Sequence, residues 1–400
     1  MSAGICLLNR NGVVLAADSA VTIGNNATVF NSANKVHKLS LFAPVGLITY
    51  ANACFESIPF EIIISDYRKY LGEKKFDDLN EYVDDFIHFF ESKFDLYDHK
   101  SNTNSYFERV ISFVFTILKR KEAKIAKTKK KMGPADFESL VNEVVSEIDT
   151  NSYKNGFDIE SIKNEKREKY IEKYSTNPDF GNYEKELLAK VIDASFRLMA
   201  SDLEVRGYVG VAICGFGEKD IFPKAQHLLF LGMCGDKLNF KLKHKTEINS
   251  KTLESILPLA QTDVMTTFLF STNDDCLNNL KQIIENKINL HITNIDKTLL
   301  SKKRKNEIIK QTPVLSKSII GEYVNNLRET EYMPIHSAMV SLPIYEMTQF
   351  AESMINITSI RRMVVYDDYV STVGGPIDIA TITKENGFLW VKNKNSNQKE

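Results

Sequence analysis

Ser2-Ala3-Gly4-Ile5-Cys6-Leu7-Leu8-Asn9-Arg10-Asn11-Gly12-Val13-Val14-Leu15-Ala16-Ala17-Asp18-Ser19 follows Met1 and decides the reading of the chain. Two apolar runs flank Asn9-Arg10-Asn11-Gly12, and an Asn-Gly between such runs predicts a hairpin. The second run ends on an acid and a hydroxyl residue. Lys35-Val36-His37-Lys38 comes next, then the apolar run Val45–Ala51, which leads into Asn52-Ala53. Singly each feature is ordinary. Serine is common at position 2, an Asp after a strand is a turn former, and a lone lysine is a solvated side chain.

Further along, a helix is expected over 57–70, with Ile58, Ile62 and Tyr67 among its apolar positions. From 71 to 185 the apolar residues recur at helical spacing: Phe76, Leu79, Tyr82, Val83, Phe86, Phe90 and Phe94, then Phe107 to Leu118, then Phe137 to Ile148. The Phe-rich stretch reads as core or subunit interface. Strand character returns at Tyr208–Cys214 and His227–Met233, followed by a helix through 259–270. A Lys- and Asn-rich helical block spans 275–330, with Leu277, Leu280, Ile284 and Ile288 on one face. A further helix is expected over 342–361. The strands Asp378–Thr383 and Phe388–Val391 close a second Asn-Gly hairpin, and the residues after Lys392 read as a frayed polar tail.

Composition narrows the classes. Hydrophobic residues make up 43% and charged residues 26% of 400, which suits a folded chain of two or three domains, or one domain with large insertions. Lys plus Arg is 51 and Asp plus Glu is 52, which excludes a globally basic nucleic-acid binder. Eight of the thirteen residues from Lys119 to Lys131 are basic; no aromatic interrupts them for base stacking, and the run reads as a solvated helix face. No apolar run reaches 18 residues, so no membrane helix is expected, and the start lacks the basic segment of a signal peptide. The five cysteines are far apart, which fits free thiols in the cytoplasm. The histidines form no HxxxH pair, and Gly215-Phe216-Gly217 is only half of a GxGxxG; neither a metal nor an organic cofactor is expected.

The combination at this spacing resembles the β-subunits of the proteasome and the related bacterial two-component peptidase, which are N-terminal nucleophile (Ntn) hydrolases. In that family a hydroxyl residue begins the mature chain, a glycine turn follows ten residues on, and an Asp-Ser sits sixteen residues on. Ser2, Gly12 and Asp18-Ser19 stand at those spacings. Tyr208–Phe216 is similar to the family's mid-chain strand, Val373-Gly374-Gly375 to its Ser-Gly-Gly, and Asn386-Gly387-Phe388 to its last hairpin. There are departures. Ser stands for the usual Thr, Asn52 falls where the family has an oxyanion-hole glycine, and Val370 falls where it has a later Asp, with Asp368 and Ser371 close by.

The resemblance implies an α+β fold, an αββα four-layer sandwich. Its discontinuous core would comprise 2–70, 187–271 and 341–392, with helical insertions at 71–186 and 272–340 and a polar tail at 393–400. It implies Ser2, Asp18 and Lys35 as catalytic residues, Asn52 and Ala53 as oxyanion and substrate contacts, and Ser19, Asp368 and Ser371 in support. The activity implied is peptide hydrolysis, with a peptide or protein substrate, a homo-oligomer that forms rings, and an ATPase or other partner protein.

The chemistry stands on its own terms. A serine hydroxyl needs a base to take its proton. With Met1 removed, the α-amine of Ser2 supplies that base, and its unperturbed pKa of about 7.7–8.0 leaves a neutral fraction near pH 7. A lysine ammonium nearby lowers that pKa, and an aspartate holds the lysine in place. Two alternatives stay open: a catalytically silent binding or assembly subunit, and a non-peptide amidase on the same scaffold.

Overall fold

The computed structural model describes residues 2–23, 28–56, 58–93, 99–128, 132–181, 183–295, 298–364 and 373–394. The chain opens with the hairpin β1 (Ala3–Asn9) and β2 (Gly12–Asp18). Two short strands, β3 (Val21–Ile23) and β4 (Thr28–Phe30), pair with each other. Then come β5 (Val36–Lys38), β6 (Val45–Ala51) and the small ladder β7 (Cys54–Phe55) with β8 (Ile58–Pro59). Helices follow: α1 (Phe60–Leu71), α2 (Leu79–Lys93), α3 (His99–Thr128), α4 (Pro134–Asp149), α5 (Ile159–Ser175) and α6 (Lys185–Leu198). The strands β9 (Val209–Gly215), β10 (Lys224–Cys234), β11 (Lys237–Glu247) and β12 (Glu254–Ala260) lead to α7 (Asp263–Phe270), α8 (Asp274–Asn294), α9 (Lys302–Ile309) and α10 (Thr312–Leu327). A π-helical turn, Arg328–Tyr332, passes into α11 (Met333–Ser341), α12 (Ile344–Val364), β13 (Ile377–Thr383) and β14 (Gly387–Lys392).

The chain divides into two compact units, 1–36 with 247–400, and 37–246. The first holds a five-stranded antiparallel sheet in the order β12-β1-β2-β13-β14. Every residue of β1 and β2 is buried, as expected for central strands with near-continuous apolar sequence. Helix α12 packs across β1, β2 and β13, and Met347, Ala351, Met354 and Ile355 meet Ile5, Leu7, Val14 and Ala16 in one core. The hairpin turn needs glycine. Gly12 has φ +154°, and a Cβ there would stand 2.5 Å from the Ile382 carbonyl oxygen. Where a helix is expected from 259, residues 254–260 form edge strand β12 instead, and α7 starts only at Asp263. Pro258 has no N–H to give, a lack that an edge strand tolerates.

The second unit is built on the sheet β11-β10-β9-β6-β5. One core joins it to α1 and α2 through Phe55, Phe60, Tyr67, Phe86, Phe90 and Phe230. A second core lies among α3, α4, α5 and α6, where Phe107 stacks on Phe196 with centroids 4.0 Å apart. The Phe-rich stretch is thus interior to this unit as far as Phe90, while Phe94 lies outside the described residues. Helix α1 begins at Phe60 rather than 57; Ile62 is exposed, and Ile63 and Ile64 take the core positions. The basic run occupies the last turns of α3, where Lys121 pairs with Glu143 and Glu147 of α4 at 2.6 Å each; Lys129 to Lys131 lie outside the described residues. Among the described residues no helix is long and apolar enough to cross a membrane.

Candidate functional site

The first unit holds four of the residues singled out in the sequence, Ser2, Asp18, Ser19 and Lys35. Asp18 ends β2 with only 1% of its surface exposed. A buried carboxylate needs several donors, and Asp18 has them. Its Oδ1 accepts the Ala3 N–H at 2.9 Å and the Lys35 Nζ at 2.6 Å, and its Oδ2 accepts the Gly374 N–H at 3.0 Å. The Ala3 bond follows from hairpin register, which sets Gly4 opposite Ala17 and brings the start of β1 to the end of β2. Ser2 is buried next in the chain, and its carbonyl accepts the Gln261 N–H at 3.1 Å.

Lys35 also donates to the Ala20 carbonyl at 2.6 Å. Burial pushes its ammonium below the usual lysine range; Asp18 pulls the other way, and the nearby Lys394 charge adds to the lowering. Ser19 acts as a clamp. Its N–H donates to the Gly374 carbonyl at 3.2 Å, its hydroxyl to Pro376 at 2.7 Å, and its carbonyl accepts the Ala33 N–H at 3.1 Å. It therefore ties the loop carrying Lys35 to the segment before β13. Asp368 and Ser371 lie outside the described residues, as does Met1.

Sequence reasoning missed a second buried pair. Lys394, assigned to the frayed tail, has 7% of its side chain exposed and Asp378 has 4%. Lys394 Nζ donates to Asp378 Oδ2 at 2.5 Å and to the Ala33 carbonyl at 2.8 Å, and its backbone N–H donates to Asp378 Oδ1 at 2.9 Å. The tail is thus anchored at least to Lys394, because one aspartate binds both ends of that residue. Asp378 was legible as a polar interruption of an apolar strand, and a buried acid calls for a cation.

Asn52 and Ala53 belong to the second unit, where β6 ends. The Asn52 N–H donates to the Tyr208 carbonyl at 3.3 Å, its side-chain oxygen accepts the Cys54 N–H at 3.2 Å, and the Ala53 carbonyl accepts the Phe60 N–H at 2.9 Å. Of the two assigned oxyanion donors, Asn52 already has a partner for its backbone N–H. Strain marks this turn, since Ala51 has φ +69° and Glu56 +49°. In the first unit Ala260, beside Gln261, has φ +67°. Non-glycine residues held at positive φ cost about 1–3 kcal/mol each and cluster at functional sites. On β10, in the sheet whose strand β6 ends just before Asn52, burial pushes the His227 imidazole down to about 4, and its Nε2 lies 2.6 Å from the Tyr50 hydroxyl. Among the described residues no three His, Cys, Asp or Glu side chains come together as metal ligands.

No family model and no curated protein sequence matches the chain. Among solved structures it is similar to Anbu (ancestral beta-subunit) from Yersinia bercovieri, at a TM-score of 0.31 and 9% identity, over 98% of this chain and 89% of that one. A likeness of that size decides neither the fold family nor the activity.

Proposed function

We propose that the chain is an N-terminal serine peptidase that hydrolyses amide bonds through an ester on Ser2 once Met1 is removed. The observation that carries the reading is the double use of Asp18 Oδ1, which accepts from the residue after Ser2 and from the buried Lys35. The α-amine takes the hydroxyl proton as Ser2 Oγ attacks the scissile carbonyl carbon. It then gives that proton to the leaving amine, which departs as the acyl ester forms. A water, deprotonated by the same amine, completes hydrolysis. The Lys35 ammonium lowers the pKa of the amine and steadies the alkoxide, and Asp18 keeps that cation in place. No step calls for a cofactor.

The αββα sandwich is part of the same proposal, as are the core of 2–70, 187–271 and 341–392 and the two helical insertions. In support, each unit supplies one five-stranded sheet of antiparallel strands with helices against it. A cytoplasmic homo-oligomer, served by a partner protein, belongs to it too. One observation favours a second reading, a catalytically silent subunit: the Asn52 N–H is committed to Tyr208. The oxyanion role then falls to Ala53, and one donor lost costs about 3–4 kcal/mol of barrier.

Intact mass of the native protein separates the two. Loss of Met1, turnover of fluorogenic peptides, and labelling by a β-lactone that disappears in Ser2→Ala support the peptidase. Retained Met1, or labelling that survives Ser2→Ala, overturns it. Lys35→Ala is expected to approach the Ser2→Ala loss, and wild-type turnover in that variant returns Lys35 to a purely structural role.

A further inference from the structure

Helix α3 leaves one stripe uncovered, running from Glu108 through Phe113 to Arg120. Together with the segment Glu204–Arg206 it bounds a cavity of about 830 Å³ within the second unit. That is the size of a small-ligand site. Its floor is apolar, made by Phe113, Ile117 and the buried Val205.

The charges around this floor are unevenly matched. Glu108 is taken by Lys173 at 2.6 Å and by the Tyr174 hydroxyl at 3.0 Å. Glu204 is taken by Lys241 at 2.7 Å and Lys243 at 2.8 Å. Arg109 is fixed in the wall by Glu56 at 2.5 Å and the Leu231 carbonyl at 2.7 Å, and it also holds the Arg206 carbonyl at 3.3 Å. Arg120 and Arg206 have no carboxylate partner among the described residues, and both are exposed at the mouth. Both glutamates and Arg109 are thus compensated by their partners, which leaves the positive charge of Arg120 and Arg206 unanswered in the lining. Guanidinium forks beside apolar side chains suit a planar carboxylate carried on an aliphatic stem. Gly207 and Tyr208 follow Arg206 in the chain, and their carbonyls receive the side-chain N–H of Asn52 at 3.5 Å and its backbone N–H at 3.3 Å.

We propose that this cavity is a binding site for an acidic peptide residue: Arg120 and Arg206 receive the side-chain carboxylate of a Glu in a bound peptide while Phe113, Ile117 and Val205 cover its neighbour. This binding preference belongs to the second unit alone and does not rest on the peptidase reading.

The test is calorimetric titration of the full chain with acetyl-Leu-Glu-amide and with its neutral isostere acetyl-Leu-Gln-amide. The Glu peptide is expected to bind at least tenfold more tightly at low salt, with the advantage shrinking at 0.5 M salt. It is expected to vanish in Arg120→Gln/Arg206→Gln, two exposed positions that leave folding intact, while the affinity for the Gln peptide stays constant. Equal affinities in the unmodified chain, a preference that survives the double substitution, or inorganic phosphate bound as tightly as the Glu peptide overturns the assignment. Repeating the titration with Ser2→Ala separates the two claims. Preserved discrimination without hydrolysis in the unmodified chain sinks the peptidase alone, and hydrolysis without discrimination sinks the binding site alone.

Discussion

Asp18→Asn keeps the shape of a side chain that is 1% exposed and removes its charge, so its cost should depend on pH. Two losses combine. The carboxylate accepts from three donors, and an amide presents N–H to one of them, leaving a buried mismatch of about 1–3 kcal/mol that is independent of pH. The second loss is the ion pair itself: Lys35, with 7% of its side chain exposed, places its Nζ 2.6 Å from Asp18 Oδ1. Breaking a buried pair by removing one partner costs about 3–5 kcal/mol.

Burial already lowers the Lys35 pKa and Asp18 opposes that, so the variant lowers it further. Between a lowered folded pKa and the unfolded value, the unfolded chain binds more protons, and stability rises with pH by up to about 1.4 kcal/mol per unit. The variant therefore loses about 4–8 kcal/mol against the parent at pH 6 and less at pH 9.5, where only the mismatch of about 1–3 kcal/mol is independent of pH. Urea unfolding followed by the fluorescence of Trp390 measures this. That residue is the sole tryptophan, and it lies on β14 in the sheet that carries Asp18. Equal losses at both pH values refute the ion-pair account.

Other perturbations reach neighbouring features. Lys394→Met leaves Asp378 buried without its cation, at a cost of about 3–5 kcal/mol in urea unfolding. It also removes a charge that lowers Lys35, so the pH–rate profile of any Ser2-dependent hydrolysis is expected to shift, and a fixed profile limits Lys394 to stability. His227, held at about 4, should stay neutral down to pH 5 by NMR titration. Since the unfolded chain protonates first, stability falls by up to about 3 kcal/mol as pH drops from 6.5 to 4, and His227→Gln should flatten that slope. Gly12→Ala meets the Ile382 carbonyl oxygen at 2.5 Å, and thermal unfolding should report a loss of about 3 kcal/mol.

Much of the first unit was legible because its signals are local. The opening hairpin needed only two apolar runs and an Asn-Gly. In the second unit, Val45–Ala51 is likewise a strand with the bounds that its apolar run suggests. Strand β11 was not legible: it is an edge strand, and its Lys-rich outer residues imitate a loop. Helix α5 falls inside the stretch expected to be helical, but its own face was not legible, since among its lysines and glutamates it buries only Tyr170, Ile171 and Tyr174. The ladder through Ala3, Asp18 and Lys35 could be suspected from spacing, because all three lie in the first 35 residues. Lys394 and Gly374 could not, since they meet this neighbourhood only through tertiary structure.

Strand β13 is inserted between β2 and β14, so the sheet beneath Asp18 is incomplete until residues 377–392 have emerged from the ribosome. A nascent chain has already exposed its serine, its aspartate and its first lysine, yet it still lacks the glycine amide and the second lysine that steady them. A segment made late in synthesis thus locks one made early in place.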